Sequence, residues 1–317
     1  MATMIPYIIK RLLYFIPTLL LVAFLVFFLV HLIPGDPVVV MLGENASPEN
    51  VVSIRKSMGL DRPLPVQFTL WVGNVLQGDF GTSIQTKRPV IQSIKERFPV
   101  TIILTTLALL FSLILSLPSG IFAAIYQNTK KDYLFMIGTL LGVSLPGFWL
   151  GLMALLVFSV HIGWFPSIGF VPMWEDFWEG LRYMILPAST LGLFMAAVVA
   201  RMTRSSMLEV LRLEYVTHAR AKGLSEWKVI TKHALKNAFG PALTTIGLQY
   251  GRLLGGAVVT ETVFSLPGLG KYIVVAIYAR DYPVVQGCIL FIALIYVVIN
   301  LVVDLLYSYF DPRIEYQ

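Results

Sequence analysis

Three formally charged side chains, one Arg and two acids, stand inside long apolar runs of this sequence, where a charge costs several kcal/mol unless it pairs or faces a polar cavity. Arg252 and Glu261 lie in Pro241–Phe264, and Asp304 lies in Val284–Tyr309. Arg252 is near the middle of its run, so it can line a path for a solute that brings an acceptor such as a carboxylate. Gly251, Gly255 and Gly256 beside it allow close helix approach, which suits packing or a moving gate equally. Glu261 is nearer the end of the run, where path lining and a simple helix-end contact both account for it. Asp304 reads as interfacial and structural. The candidate translocation-path residues are Arg252 and Glu261.

Other chemistries lack their residues. The segment Ser265-Leu266-Pro267-Gly268-Leu269-Gly270-Lys271-Tyr272 imitates a phosphate-binding loop, but Ser265 stands where Gly is required and Tyr272 where Ser or Thr is required. It also follows an apolar helix instead of a strand, and reads as a loop turning back toward a membrane. His31, His161, His218 and His233 form no metal-ligand spacing, and a single cysteine, Cys288, excludes an internal disulfide framework. There is no G-x-S-x-G elbow, and no two acids share an apolar run, which disfavours acyl transfer and a carboxylate proton relay. No catalytic residue and no metal ligand is expected, and no energy source is visible.

The elements that position these residues follow from hydropathy. The 317 residues are 57% hydrophobic and only 13% charged, against about 25% charged in soluble chains. The mean hydropathy of +0.77 makes a water-soluble enzyme an unsuitable reading. A hydrocarbon core of about 30 Å needs roughly 20 apolar residues as a helix. Six stretches qualify: Leu12–Ile33, Val100–Tyr126, Tyr133–Val160, Tyr183–Ala200, Pro241–Phe264 and Val284–Tyr309. The first exceeds a signal peptide's usual apolar length of about 7 to 15 residues, and Pro34-Gly35-Asp36-Pro37 is no cleavage site, so it reads as a retained anchor. The fold class expected is an all-α polytopic membrane protein with six transmembrane helices.

Orientation follows from lysine and arginine, which resist translocation. With the N-terminus inside, inner segments carry 13 of the 24 cations, outer segments ten and the spans one. Seven of the outer ten sit in the long Pro34–Pro99 stretch, which counts for little, so the comparison that matters is 13 against three. Both termini are expected in the cytosol. Six acids fall inside, ten outside and two in spans, so the net charge of +6 resolves into +7, 0 and −1. A basic protein in search of nucleic acid is thereby replaced by an oriented membrane protein.

The division expected is an anchor over 1–33, an extracytoplasmic loop domain over 34–99, a core over 100–309 and a cytosolic tail over 310–317. The loop domain should hold a helix over Pro48–Met58, started by Ser47-Pro48 and stopped by Gly59, with turns at Asp61-Arg62-Pro63 and Gly78-Asp79-Phe80-Gly81. It either receives a partner or closes a pore, or it merely packs helix ends. The cytosolic loop 201–240 has apolar residues at helical spacing, Met207, Leu208 and Leu211, then Leu224, Trp227, Ile230 and Leu235. Gly223 can end one helix and Ser225 can cap the next. Between them Ala219-Arg220-Ala221-Lys222 offers small residues for close approach beside cations for contact. This corner is either a docking knob for a cytosolic protein or an interfacial helix on anionic headgroups.

Several ordered segments carry a resemblance. They are His31-Leu32-Ile33-Pro34-Gly35-Asp36-Pro37, Arg201-Met202-Thr203-Arg204-Ser205-Ser206-Met207, Ala219-Arg220-Ala221-Lys222-Gly223-Leu224, His233-Ala234-Leu235-Lys236-Asn237-Ala238 and Pro267-Gly268-Leu269-Gly270. Arg280-Asp281-Tyr282-Pro283-Val284 and Asn300-Leu301-Val302-Val303-Asp304 complete the set. The chain resembles the permease subunits of ATP-binding-cassette importers of the dipeptide, oligopeptide, glutathione and nickel group, and the first of their two permease types. Against the family's coupling signature, E-A-A, three residues, Gly, nine residues, I-x-L-P, only Ala219, Gly223 and Leu235 fit.

The resemblance implies a type I importer permease fold, methionine-importer-like, with an ATPase-coupling segment at Thr217, His218, Ala219, Arg220, Ala221, Lys222, Gly223 and Leu224. It implies transport of di- or oligopeptides or related small solutes through a prokaryotic cytoplasmic (inner) membrane. The partners implied are a second homologous permease, two cytosolic ATPase subunits, an extracytoplasmic substrate-binding protein and lipid, with ATP and Mg on the ATPases and no cofactor on this chain. The competing reading is an ion-coupled carrier working alone, which should show an internal repeat and titratable mid-span groups. No repeat is visible, and Arg252 cannot usefully exchange protons. A membrane-embedded hydrolase lacks a nucleophile and base.

Overall fold

The computed structural model describes residues 4–32, 38–39, 47–57 and 59–310. The turn expected at Pro34–Pro37 and the tail at 311–317 lie outside the described residues. Apart from an isolated bridge between Thr82 and Pro89, the described residues are helical or irregular, as the hydropathy pattern requires. They divide into two compact units.

The first unit comprises 1–99 and 268–297. Helix α1 (Met4–Leu32) is followed by α2 (Pro48–Ser57) and α3 (Leu64–Leu76). The expected stop of α2 is present: Gly59 has φ +69°, and Leu60 N donates to Arg55 O at 3.0 Å. Phe68 and Trp71 of α3 rest on Phe27 of α1, with ring centroids 5.4 and 5.8 Å apart. The first turns of α4 (Val90–Ile125) pack with α10 (Leu269–Tyr278) and α11 (Tyr282–Phe310) around Val90, Ile94, Leu269, Ile273, Val284 and Cys288. A buried carboxylate fastens this unit. Asp281 accepts from Ser83 Oγ at 2.5 Å, Ile84 N at 3.0 Å and Gln85 N at 3.2 Å, tying the 82–89 loop down. The simple loop expected over Ser265–Tyr272 is corrected here: after Gly268 the chain enters α10, whose apolar side (Leu269, Ile273, Ala276) gives it a core to pack on.

The second unit comprises 100–267 and 298–317. Its frame is α7 (Phe177–Leu211) packed along α9 (Leu235–Val263), with the rest of α4 and with α5 (Lys130–Ser144) and α6 (Gly147–Ala154) against α7. Leu104, Ala108, Met184, Met195, Val199, Leu253 and Ala257 fill the interior. Close approach depends on a residue without a side chain at Gly192, where a Cβ would stand 2.4 Å from the Ala108 carbonyl oxygen. Around Arg252 the expectation holds at Gly256, where a Cβ would stand 3.2 Å from Leu191 Cδ1, but not at Gly255, where it would meet nothing within 4 Å; the tightest approach is farther off, at Gly247 against Val303.

Three described helices, Val90–Ile125, Phe177–Leu211 and Tyr282–Leu305, are long and apolar enough to cross a membrane. The third expected run is not one straight span. Lys130–Ser144 and Gly147–His161 meet at 100°, because Pro146 lacks an N–H and forces Leu145 into an extended conformation (φ −82°, ψ 133°). The fifth expected run, but for its last residue Phe264, lies within α9, whose apolarity is diluted by Gln249, Arg252 and Glu261. Helix α7 continues past the expected Ala200 to Leu211, so the first part of the loop expected over 201–240 is a continuation of that helix.

Candidate functional site

The corner expected between two helices is built from α8 (Glu214–Ala221) and a second helical segment beginning at Glu226. The chain breaks at Arg212-Leu213, Leu213 is extended (φ −72°, ψ 145°), and α8 starts with an acid in its first turn and ends with His218 and Arg220. That order opposes charges to the helix dipole. Val216 and Ala219, three residues apart, point inward onto Met207, Val210, Val229, Ile230, Ala234 and the end of α4 at Ala124. The other side, Thr217, His218, Arg220, Ala221 and Lys222, is exposed, as are Gly223 and Leu224.

Gly223 closes α8 in the left-handed conformation at φ +76°, and Leu224 N reaches back to Ala219 O at 3.4 Å. A Cβ at Gly223 would meet nothing within 4 Å, so the demand for glycine here is one of backbone conformation alone. Arg220 clasps Glu226 across the corner, Nη2 to Oε1 at 2.7 Å and Nε to Oε2 at 3.1 Å. This bond holds the Glu226 carboxyl below its ordinary range and raises Arg220. Arg220 is thereby committed to the corner's own shape, while Lys222 makes no ion pair among the described residues.

A second tie fixes α8 to the start of α9. Tyr215 Oη accepts from Asn237 Nδ2 at 2.6 Å and donates to His233 O at 3.3 Å. Between these contacts, Val229–Ala234 forms a π-helical turn that leads into α9. Of the apolar residues at helical spacing, Ile230 is buried, whereas Leu224 and Trp227 are outside, Trp227 at 73% exposure, because the helix restarts only at Glu226 and turns that face outward. The outer surface thus combines Leu213, Tyr215, Leu224 and Trp227 with six cations against two acids between 212 and 236.

One feature of this base has no local sequence signal. Arg204 of α7 grips Asp132, Nε to Oδ1 and Nη2 to Oδ2 both at 2.7 Å, and Asn128 N donates to Oδ2 at 3.0 Å. The pair locks the α4–α5 turn to α7 ten residues before α8. Lys131 covers the same turn, 4.3 Å from the Tyr126 ring centroid.

Arg252 and Glu261 are not brought together. They are nine residues apart on α9, which is about 13.5 Å of rise and half a turn of rotation. Arg252 is exposed and makes no ion pair among the described residues, whereas Glu261 is wholly buried and accepts from Thr101 Oγ1 at 2.6 Å. Tyr250 bonds Thr106 through its hydroxyl at 3.1 Å, so another polar contact joins the same two helices. Asp304 is half-buried. No group of three or more His, Cys, Asp or Glu that could hold a metal occurs among the described residues.

Comparison with known proteins places this architecture. Residues 116–316 match the family described as binding-protein-dependent transport system inner membrane component, and residues 4–105 match its N-terminal membrane component. The chain is 45% identical to a dipeptide transport system permease protein of Alkalihalophilus pseudofirmus, covering 99% of this chain and 100% of that one. It is 46% identical to a glutathione transport system permease protein of Salmonella paratyphi A, with the same coverages. A chain of the MetNI methionine ABC transporter in inward-facing conformations superposes with a TM-score of 0.58 at 18% identity, over 70% of this chain and 97% of that one. The fold expected from the sequence, that of a methionine-importer-like type I permease, is therefore the fold observed. The chain belongs to the inner-membrane permease family of binding-protein-dependent transport systems.

Proposed function

We propose that this permease carries di- or oligopeptides, or small solutes of similar chemistry, and forms half of the translocation path with a second homologous permease. Of two cytosolic ATPase subunits, one docks on the exposed side of Thr217–Leu224 and the other on the second permease, and an extracytoplasmic binding protein delivers the solute. ATP and Mg stay on the ATPases, and both termini face the cytosol of a prokaryotic cell. The observation that carries this reading is the corner itself: a short helix with an exposed apolar and basic side, seated by Val216 and Ala219 and tied through Tyr215 to the start of α9. Closure of the ATPases would push on α8, and the Tyr215–Asn237 bond and the packed π-helical turn would pass that push to the helix bearing Arg252 and Glu261. Arg252 is assigned to the path, facing the solute carboxylate. Glu261 supports the path from behind, through Thr101. The carrier alternative is disfavoured because the mid-span cation on α9 is an arginine, which stays charged.

The test is uptake of labelled dipeptide by proteoliposomes holding the complete transporter. Gly223→Val forces a β-branched residue into a left-handed conformation, at a cost of about 1–2 kcal/mol, at a position where a Cβ would meet no neighbouring residue within 4 Å. Co-purification of the ATPases should persist while uptake falls at least about tenfold. Normal uptake would overturn the coupling assignment. Arg252→Ala should raise the KM for carboxylate-bearing substrate while ATPase binding stays intact, and unchanged uptake kinetics would assign Arg252 to packing.

A further inference from the structure

The stretch 34–99 is polar as a whole, but one helix within it is not. Helix α3, Leu64–Leu76, contains no Asp, Glu, Lys or Arg in its 13 residues. One side lays Phe68 and Trp71 on the rings of α1, Phe68 also standing 6.0 Å from Phe24. The other leaves Val66, Leu70 and Leu76 exposed at 40, 45 and 82%, with only Thr69 and Asn74 as polar company. Charged residues appear just beyond its two ends, at Asp61-Arg62 and at Asp79.

Helix α1 sets the depth of that contact. Phe24 and Phe27 precede Ile33, the last residue of the apolar run, by nine and six residues, or about 14 and 9 Å of helical rise. Half a hydrocarbon core is about 15 Å. A helix in ring contact with these residues is level with acyl chains, well below the water. At about 20 Å it is too short to cross the core, so it must lie within one leaflet.

We propose that α3 is an interfacial helix whose Val66, Leu70 and Leu76 side is covered by acyl chains of the outer leaflet, continuous with the exposed Leu20, Leu21 and Leu25 of α1. Having no cation, it recognises hydrocarbon and not anionic headgroups. It anchors the extracytoplasmic domain at a second point. The proposal rests on α1 being the membrane anchor with its C-terminal end outward.

The experiment uses the full-length chain in nanodiscs of phosphatidylcholine, with a bimane label on Leu70→Cys, Leu21→Cys or Val52→Cys. Cys288 is fully buried, so labelling is selective. Spin-labelled acyl chains should quench the label at 70 to an extent comparable with that at 21, while aqueous iodide should reach it about fivefold less than the label at 52. Iodide access at 70 equal to that at 52 would overturn the proposal, and so would shielding from both quenchers, which would mean that a protein covers the face. If the label at 21 is not quenched by lipid, the anchor reading fails and this one fails with it. Quenching at 21 without quenching at 70 sinks only the α3 proposal. Should Leu70→Cys fold poorly, Val66→Cys gives the same readout.

Discussion

Two arginine–carboxylate pairs stand at the base of the second unit, and they are alike in chemistry but opposite in setting. Arg204 and Asp132 are joined by two bonds of 2.7 Å, with the Asp132 side chain only 4% exposed. Arg220 and Glu226 also share several bonds, but Glu226 is 56% exposed. Two carboxylate oxygens taken out of water must be satisfied completely, and Asp132 is, through Arg204 and Asn128 N. Glu226 keeps water as an alternative partner, so its bond shapes the corner more than it holds the fold. Rigidity therefore resides where α5 meets α7, and adjustability resides where α8 turns.

The largest separation of the two pairs should come from Asp132→Ala, which leaves the half-buried Arg204 without its carboxylate. Breaking such a pair costs about 3–5 kcal/mol, and thermal unfolding in detergent should show a large loss of stability or of folded yield. A loss as small as that of an exposed pair would put Asp132 in contact with water. A much smaller effect is expected of Glu226→Gln, less than about 1 kcal/mol, and it should fade as salt is raised while that of Asp132→Ala does not. A drop in dipeptide uptake without a drop in stability would show that the corner's shape matters more than its energy.

Acidity gives the smallest effect, and for the Glu226 pair its sign is fixed. Glu226 has a depressed value in the folded chain, so the stability from its bond is complete above the ordinary glutamate value of about 4.3. It is lost as pH falls through the lower folded value. Between pH 6 and pH 8, taken as roughly the working range, unfolding of wild type and Glu226→Gln should therefore differ by a constant amount, and the difference should close only in strong acid. A difference that changed near neutrality would mean that another group carries the effect.

The corner was legible because its signals are local. Gly223 announces a left-handed stop, and the helical spacing before it announces an amphipathic segment, both within a few residues. The break at Arg212-Leu213 was not, since no proline or glycine marks it. The bend at Pro146 had a signal that hydropathy alone overrode. Asp132 and Arg204 are 72 residues apart, and each looks like an ordinary inner-facing charge until the fold joins them. Helix α3 was masked by averaging, a short uncharged segment inside a charged stretch. The exposed side of α8 was readable as amphipathic, but the use of Arg220 within the corner was not, because its partner lies beyond the turn.

The bond between Ser83 and Asp281 has a consequence in time. Its two residues are separated by 198 positions. At a synthesis rate of about 5–20 residues per second, the 82–89 loop must wait roughly 10–40 s after it is made before the carboxylate that fastens it exists. During that interval Ser83 and the amides of Ile84 and Gln85 need a substitute such as water or a chaperone, and a chain cut short before Asp281 would never release it.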